Sequence, residues 1–203
     1  MARVFEDTAI RTPEQATPLV ADPAPLGLAG FGVTTLLLSL INAKILPATL
    51  TVLVMSMALA FGGLAQLLAG MWAFKRGNTF AATAFTSYGA FWISFYLLVV
   101  VFLPGASKAS TADVENFIGW YLLAWGIFTA YMTVASLAGA RAVQLVFALL
   151  TLTFVVLAIG HFGQSSGTIQ VGGYIGLATA AAAIYASFAD VTNANFKRKV
   201  LPT

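Results

Sequence analysis

The polar and charged positions of this chain divide it into apolar stretches of membrane-crossing length. Lys44 and Lys75 bracket residues 45–74, thirty positions without a charge. Arg76 and Lys108 bracket 77–107, thirty-one positions, and Glu115 and Arg141 bracket 116–140, twenty-five. A helix crosses the ~30 Å hydrocarbon layer with about 20 apolar residues, so each stretch fits one crossing. A fourth stretch, 142–189, has forty-eight uncharged positions. As one helix it would reach roughly 72 Å at 1.5 Å per residue, too long for one crossing. Its middle, 160–173, reads GHFGQSSGTIQVGG, and the five glycines predict a loop between two helices. A shorter apolar run, 26–43, follows Pro23 and Pro25, which suit a first helical turn. The pattern predicts an all-α protein with six helices, at about 26–43, 48–73, 80–103, 116–137, 142–159 and 173–189.

Composition agrees. The 203 residues are 60% apolar or aromatic and 8% charged, with mean hydropathy +0.90. A soluble domain carries about 25% charged residues. Ten basic and seven acidic side chains cannot solvate a globule of this size, and such hydrophobicity excludes disorder. The absence of cysteine excludes a disulfide scaffold. What remains is a multi-pass protein of the cell membrane.

An even helix count puts both termini on one side. Arg3, Arg11, Lys75, Arg76, Arg141, Lys197, Arg198 and Lys199 share that side, and Lys44 and Lys108 face the other. The positive-inside rule then makes both termini cytoplasmic. Three regions follow: a cytoplasmic segment 1–22, a six-helix transmembrane domain 23–189 and a basic cytoplasmic tail 190–203. The first segment has no apolar run after a basic start, so it is not expected to be a cleaved signal peptide. The tail is expected to face anionic membrane lipid. The net charge of +3 reflects this loop bias and does not point to nucleic acid.

No Asp, Glu, Lys, Arg or His lies well inside a predicted span; Asp22, Asp190 and His161 sit at span ends. Proton relays, ion-coupled pumps and voltage sensors normally need such groups. Catalytic sets, phosphate loops and metal-ligand clusters are also missing, so no enzyme, cofactor or metal is expected. The spans hold neutral polar groups instead, among them Thr34, Gln66, Thr83, Thr86 and Ser87. Singly, such groups usually bond helix to helix. The run Thr83, Thr86, Ser87, Tyr88 is different, because positions 83 and 87 share a face with 86 adjacent. A hydroxyl stripe suits a narrow path for small polar solutes, and neutral donors replace water around a carboxylate without trapping it. His161, between Gly160 and Gly163, reads as a solvated loop residue rather than a proton coupler.

At the first helix stands Asp22-Pro23-Ala24-Pro25-Leu26-Gly27-Leu28, then Gly30-Phe31-Gly32. With Gly62-Gly63-Leu64-Ala65-Gln66, Lys75-Arg76-Gly77-Asn78-Thr79-Phe80, Thr86-Ser87-Tyr88-Gly89, Gly139-Ala140-Arg141 and Leu201-Pro202, this resembles the acetate uptake transporter family over about 22–202. The resemblance implies a homo-hexamer in which each six-helix protomer has its own pore, passing acetate and in some members succinate. It implies a constriction at Phe31, Tyr88 and Leu150, with residues 23–28 (Pro23, Ala24, Pro25, Leu26, Gly27, Leu28) as the signature on the substrate path. Topology supports one level for the three: Phe31, Tyr88 and Leu150 lie six to eight residues past Pro25, Phe80 and Ala142, roughly 9–12 Å into helices that enter from one side. An apolar ring gates by dewetting, and the Tyr88 hydroxyl offers a ligand for a carboxylate oxygen.

The family residue at the head of the signature is usually Asn, where this chain has Asp22. A carboxylate on an anion path would repel substrate, so Asp22 is expected to cap the first helix instead. The function expected is channel-like passage of small carboxylates. Proton-coupled symport of the same anions and a non-transporting sensor or scaffold remain the alternatives.

Overall fold

A computed structural model of the chain describes residues 20–106 and 108–203. Six long helices are present among them: α1 (Ala24–Asn42), α2 (Ala48–Lys75), α3 (Thr79–Gly105), α4 (Thr111–Ser136), α5 (Arg141–Phe162) and α6 (Ser166–Phe196). Each is long and apolar enough to cross a bilayer. Most of segment 1–22, including Arg3 and Arg11, lies outside the described residues.

The expected loop over 160–173 shrinks to residues 163–165. Gln164 turns the chain with φ 47°, and the Ser165 hydroxyl oxygen accepts from the Thr168 N–H at 3.3 Å to start α6. The glycines that suggested a loop are mostly helical. A Cβ at Gly172 would lie 2.6 Å from Leu157 Cδ2, so here glycine lets α5 and α6 approach rather than turn. At its other end α6 runs to Phe196, past the predicted limit of 189. There Asn193 clasps the tail: its Oδ1 accepts from Val200 N–H (2.6 Å) and Leu201 N–H (2.8 Å), and its amide donates to Leu201 O (2.9 Å). α4 begins at Thr111 instead of 116 because Ser110 and Asp113 form a reciprocal capping box.

α1 packs between α2 and α6; α6 packs on α5, α5 on α4, and α2 on α3. Between α3 and α4 the backbones stay apart, and long side chains bridge them. Tyr121 donates from its hydroxyl to Phe91 O at 3.2 Å, and Phe91 packs edge-on to Trp125 with centroids 5.2 Å apart. The six helices thus close a ring around an axial space. Outside, Leu53 (65%), Val134 (69%) and Leu137 (65%) are exposed, as a lipid-facing surface requires.

Two helices carry a wider π turn, at Ala60–Ala65 in α2 and Leu98–Phe102 in α3. In α3 Pro104 follows closely; it supplies no N–H and crowds the carbonyl four residues back. In α2 the wide turn immediately precedes Gln66.

Candidate functional site: an axial path with one narrow point

Lys75, Arg76, Arg141 and the Lys197-Arg198-Lys199 turn lie at the face where the described chain begins and ends, called here the terminal face; Lys44 and Lys108 lie at the far face. A cavity of about 310 Å³ opens at the terminal face, lined by Ala24, Leu28, Asn78, Phe85, Ser136 and Asp190 among others. A second, of about 280 Å³, opens toward the far face, lined by Phe31, Thr35, Trp92, Leu150, Phe154 and His161 among others. Between them is a space of about 20 Å³ walled by Leu28, Phe31, Gln66, Phe85, Tyr88, Val146 and Leu150. Leu28 and Phe85 are shared with the terminal-face cavity, and Phe31 and Leu150 with the far one. Roughly 10–15 Å³ admits one water, so the narrow point is about water-sized.

α1, α3 and α5 enter from the terminal face and bring Phe31, Tyr88 and Leu150 to this point, each buried to within 4% exposure. The Phe31 and Tyr88 rings lie 5.7 Å apart at 51°. Tyr88 is held from behind by Phe128 (5.4 Å, edge-on) and Phe147 (6.0 Å). Its hydroxyl lies 2.9 Å from Thr129 Oγ1, which lies 2.7 Å from Trp125 O. A carbonyl only accepts, so Thr129 gives its one proton to Trp125 and Tyr88 donates to Thr129. The Tyr88 proton is therefore committed inside the wall, away from the expected carboxylate contact.

Gln66 takes the polar position. It is 1% exposed, forms no hydrogen bond with the described residues, and its Oε1 is buried without a partner. Thr35 Oγ1 and Trp92 Nε1, on residues lining the far cavity, are also buried unpartnered. Buried polar groups normally find a partner; of the four unpartnered ones among the described residues, those of Gln66, Thr35 and Trp92 belong to residues lining these spaces, and Thr86 Oγ1 does not. Thr35 and Trp92 were not singled out from the sequence; only their place on the cavity wall distinguishes them.

Of the other polar candidates, Thr34 is fully buried and reaches Met57 O at a long 3.5 Å. Thr83, Thr86 and Ser87 line none of these three spaces. Thr86 instead packs against Gly70 of α2 at close quarters. In the signature, Ala24 and Leu28 line the terminal-face cavity, and Gly27 faces the Phe85 ring so closely that a Cβ there would overlap it at 2.5 Å. Pro25 O accepts from the Ser187 hydroxyl at 2.7 Å, fixing α1 to α6; Leu26 is exposed and Pro23 precedes the first helical residue.

Asp22 Oδ1 accepts from the Ala24 N–H at 3.0 Å, a capping bond made from one residue before the helix cap. Its Oδ2 lies 3.9 Å from Arg76, which also donates to Val20 O. Asp22 borders a surface groove and none of the three axial spaces. His161 is not a solvated loop residue: it is helical, and its Nδ1 lies 2.6 Å from Glu115 Oε2 on α4. Helical continuation past Gly160 turns the ring inward.

The profile described as the GPR1/FUN34/yaaH family matches residues 8–202. The chain is 44% identical over 185 residues to the succinate-acetate/proton symporter SatP of Escherichia coli (strain K12), covering 90% of this chain and 95% of that protein. It is 38% identical over 197 residues to acetate permease A of Emericella nidulans, covering 90% of this chain and 65% of that one. The solved structure of the bacterial acetate channel SatP superimposes with a TM-score of 0.83 at 43% identity, covering 90% of this chain and 98% of that one. These relatives are transporters and a channel, not enzymes.

Proposed function

Since this chain belongs to the GPR1/FUN34/yaaH family of multi-pass membrane proteins, we propose that it passes small carboxylates, acetate foremost and succinate as a larger candidate, along its own axis. One observation carries this reading. Two cavities of about 310 and 280 Å³ approach from opposite faces and meet at a single space of about 20 Å³ that shares walls with both. Phe31, Tyr88 and Leu150 serve as the gate of this path. In the described conformation the gate is shut to anything much larger than water. Rotation of Phe31 and Leu150, which face the far cavity as well, opens it.

Passage needs donors that hold a carboxylate loosely. The NH2 group of the Gln66 amide supplies one at the gate, and Thr35 Oγ1 and Trp92 Nε1 continue the series toward the far side. No fixed positive charge lines the narrow point, so an anion dehydrated there is not trapped. Asp22, paired and turned to the surface, leaves the path free of its repulsion. In this reading residues 23–189 hold the pore, both termini are cytoplasmic, the basic tail faces anionic lipid, and protomers assemble as hexamers with one pore each.

The relatives carry different labels, one a proton symporter and another a channel. The gate walls hold no carboxylate, imidazole or amine, which favours channel-like passage. Symport remains a second reading because each wide cavity has one such group, Asp190 on the terminal side and His161 on the far side. Purified protein in liposomes, loaded with labelled acetate and a pH dye, tests both. Acetate current without matching proton movement is expected. Obligatory one-to-one proton movement favours the symporter, and absence of any flux favours a sensor or scaffold.

A further inference from the structure

The walls of the narrow space fall into two pairs along the path. Leu28 and Phe85 are shared with the terminal-face cavity, and Phe31 and Leu150 with the far one; Gln66, Tyr88 and Val146 border the narrow space alone. Helix spacing sets this order. Phe31 stands three residues after Leu28 on α1, and Tyr88 three residues after Phe85 on α3. At 1.5 Å per residue each step is about 4.5 Å, and positions three apart share a face. Because α1 and α3 enter from the same side, the two steps stack one tier on another.

The tiers belong to different packed clusters. Phe31, Tyr88 and Leu150 sit in the large core with Phe91, Phe147 and Phe154. Leu28 and Phe85 sit in a small cluster whose other buried members are all alanines, Ala69 and Ala82 among them. A shift in one tier therefore does not require repacking the other. Gly27 seats the Phe85 ring. A Cβ there would stand 2.5–2.6 Å from three consecutive ring atoms, Cγ, Cδ1 and Cε1, so the ring lies with its face on the glycine. Gly27 is helical and has no positive φ, so the position needs glycine for the space above its Cα and not for backbone freedom.

We propose that Leu28 and Phe85 form a second gate in series with Phe31 and Leu150, and that Gly27 is the positioning residue that holds its ring clear of the path. This rests on the pore reading above. Two lips enclose the space of about 20 Å³, so a solute larger than water crosses in two steps. Flux through barriers in series is limited by the higher one, and widening the far lip makes the terminal-side lip the limit on size. Phe85 is backed by buried alanines, and the open volumes beside it are the terminal-face cavity and the narrow space. Lifting its ring off Gly27 therefore pushes it into the path.

Labelled acetate and labelled succinate flux through the full chain in liposomes tests this. Combining Phe85→Ala with Leu150→Ala is expected to raise the succinate-to-acetate ratio about threefold or more beyond Leu150→Ala alone, because the second lip is then widened as well. Gly27→Ala suits a helix and is expected to fold, yet to lower both fluxes roughly fivefold, succinate more than acetate. Adding Phe85→Ala to Gly27→Ala is expected to restore them, a rescue that a purely structural role of Gly27 does not provide. A ratio in the Leu150→Ala, Phe85→Ala chain no higher than in Leu150→Ala overturns the second gate, and this comparison decides the matter if Gly27→Ala does not fold. Folded Gly27→Ala protein with normal flux, or with a loss that Phe85→Ala leaves unrepaired, overturns the positioning role. Either negative result beside normal acetate flux in the natural chain leaves the pore standing; no acetate flux in the natural chain removes the pore reading and the second gate together.

Discussion

The Tyr88 hydroxyl and Thr129 Oγ1 lie 2.9 Å apart, and because Thr129 also donates to Trp125 O at 2.7 Å, the Tyr88 proton points into α4 rather than into the path. Tyr88 contributes its ring to the wall of the small space between the two cavities, and its hydroxyl braces α3 against α4 where their backbones are not in close contact.

Tyr88→Phe keeps the ring and removes the brace. It should leave acetate flux within about threefold of the natural chain and lower detergent stability by about 1 kcal/mol, the net worth of a typical hydrogen bond. Thermal unfolding and liposome flux on the same preparation check both parts. Flux lowered tenfold or more would return the hydroxyl to the role of ligand.

Gln66→Leu retains much of the volume and deletes the amide at the narrow point. Flux is expected to fall by roughly tenfold or more, as loss of a donor to a dehydrated carboxylate implies. Stability should hold or rise, because a buried unpartnered polar group is removed. A variant with normal flux would exclude Gln66 as the donor at the gate.

Gly89 of α3 lies against α2. A Cβ placed there would stand 2.8 Å from the Leu67 nitrogen and 2.9 Å from Gly63 O, both backbone atoms with little freedom to yield. Gly89→Leu is expected to lower stability by about 1–3 kcal/mol or prevent folding. Differential scanning of the purified protein in detergent, with its elution volume, measures it.

Asp22→Asn preserves the acceptor for the Ala24 N–H and gives up only the exposed, long pairing with Arg76. Flux within about twofold of the natural chain is expected, since exposed ion pairs contribute little. A large gain in acetate flux would mean that the Asp22 charge does reach the path.

The membrane architecture was legible because charge placement is a hard constraint in lipid. Lys44, Lys75, Arg76, Lys108, Arg141 and Asp190 delimit the apolar stretches, and the length of 142–189 with its glycine-rich middle splits the last of them into two helices, making six. Axial depth was legible too, since a fixed rise per residue brings Phe31, Tyr88 and Leu150 near one level. Rotation about the helix axis was not. Thr83 and Ser87 share a face, but in a helix apolar on every side nothing in the spacing says which neighbour that face meets, and Thr86 meets Gly70. The residues over 160–173 misled for a related reason: glycine in a membrane helix serves close packing as often as turning. The His161–Glu115 contact joins positions forty-six residues apart and leaves no local trace in the sequence.

The central claim is that carboxylates cross at the point where Phe31 and Leu150 separate the two cavities. Paired flux of labelled acetate and labelled succinate through the Leu150→Ala and Phe31→Ala proteins in liposomes tests it most directly. Widening a gate of about 20 Å³ should raise the succinate-to-acetate ratio several-fold, with acetate flux kept or increased. Both fluxes and their ratio unchanged in folded protein would contradict a path through this point.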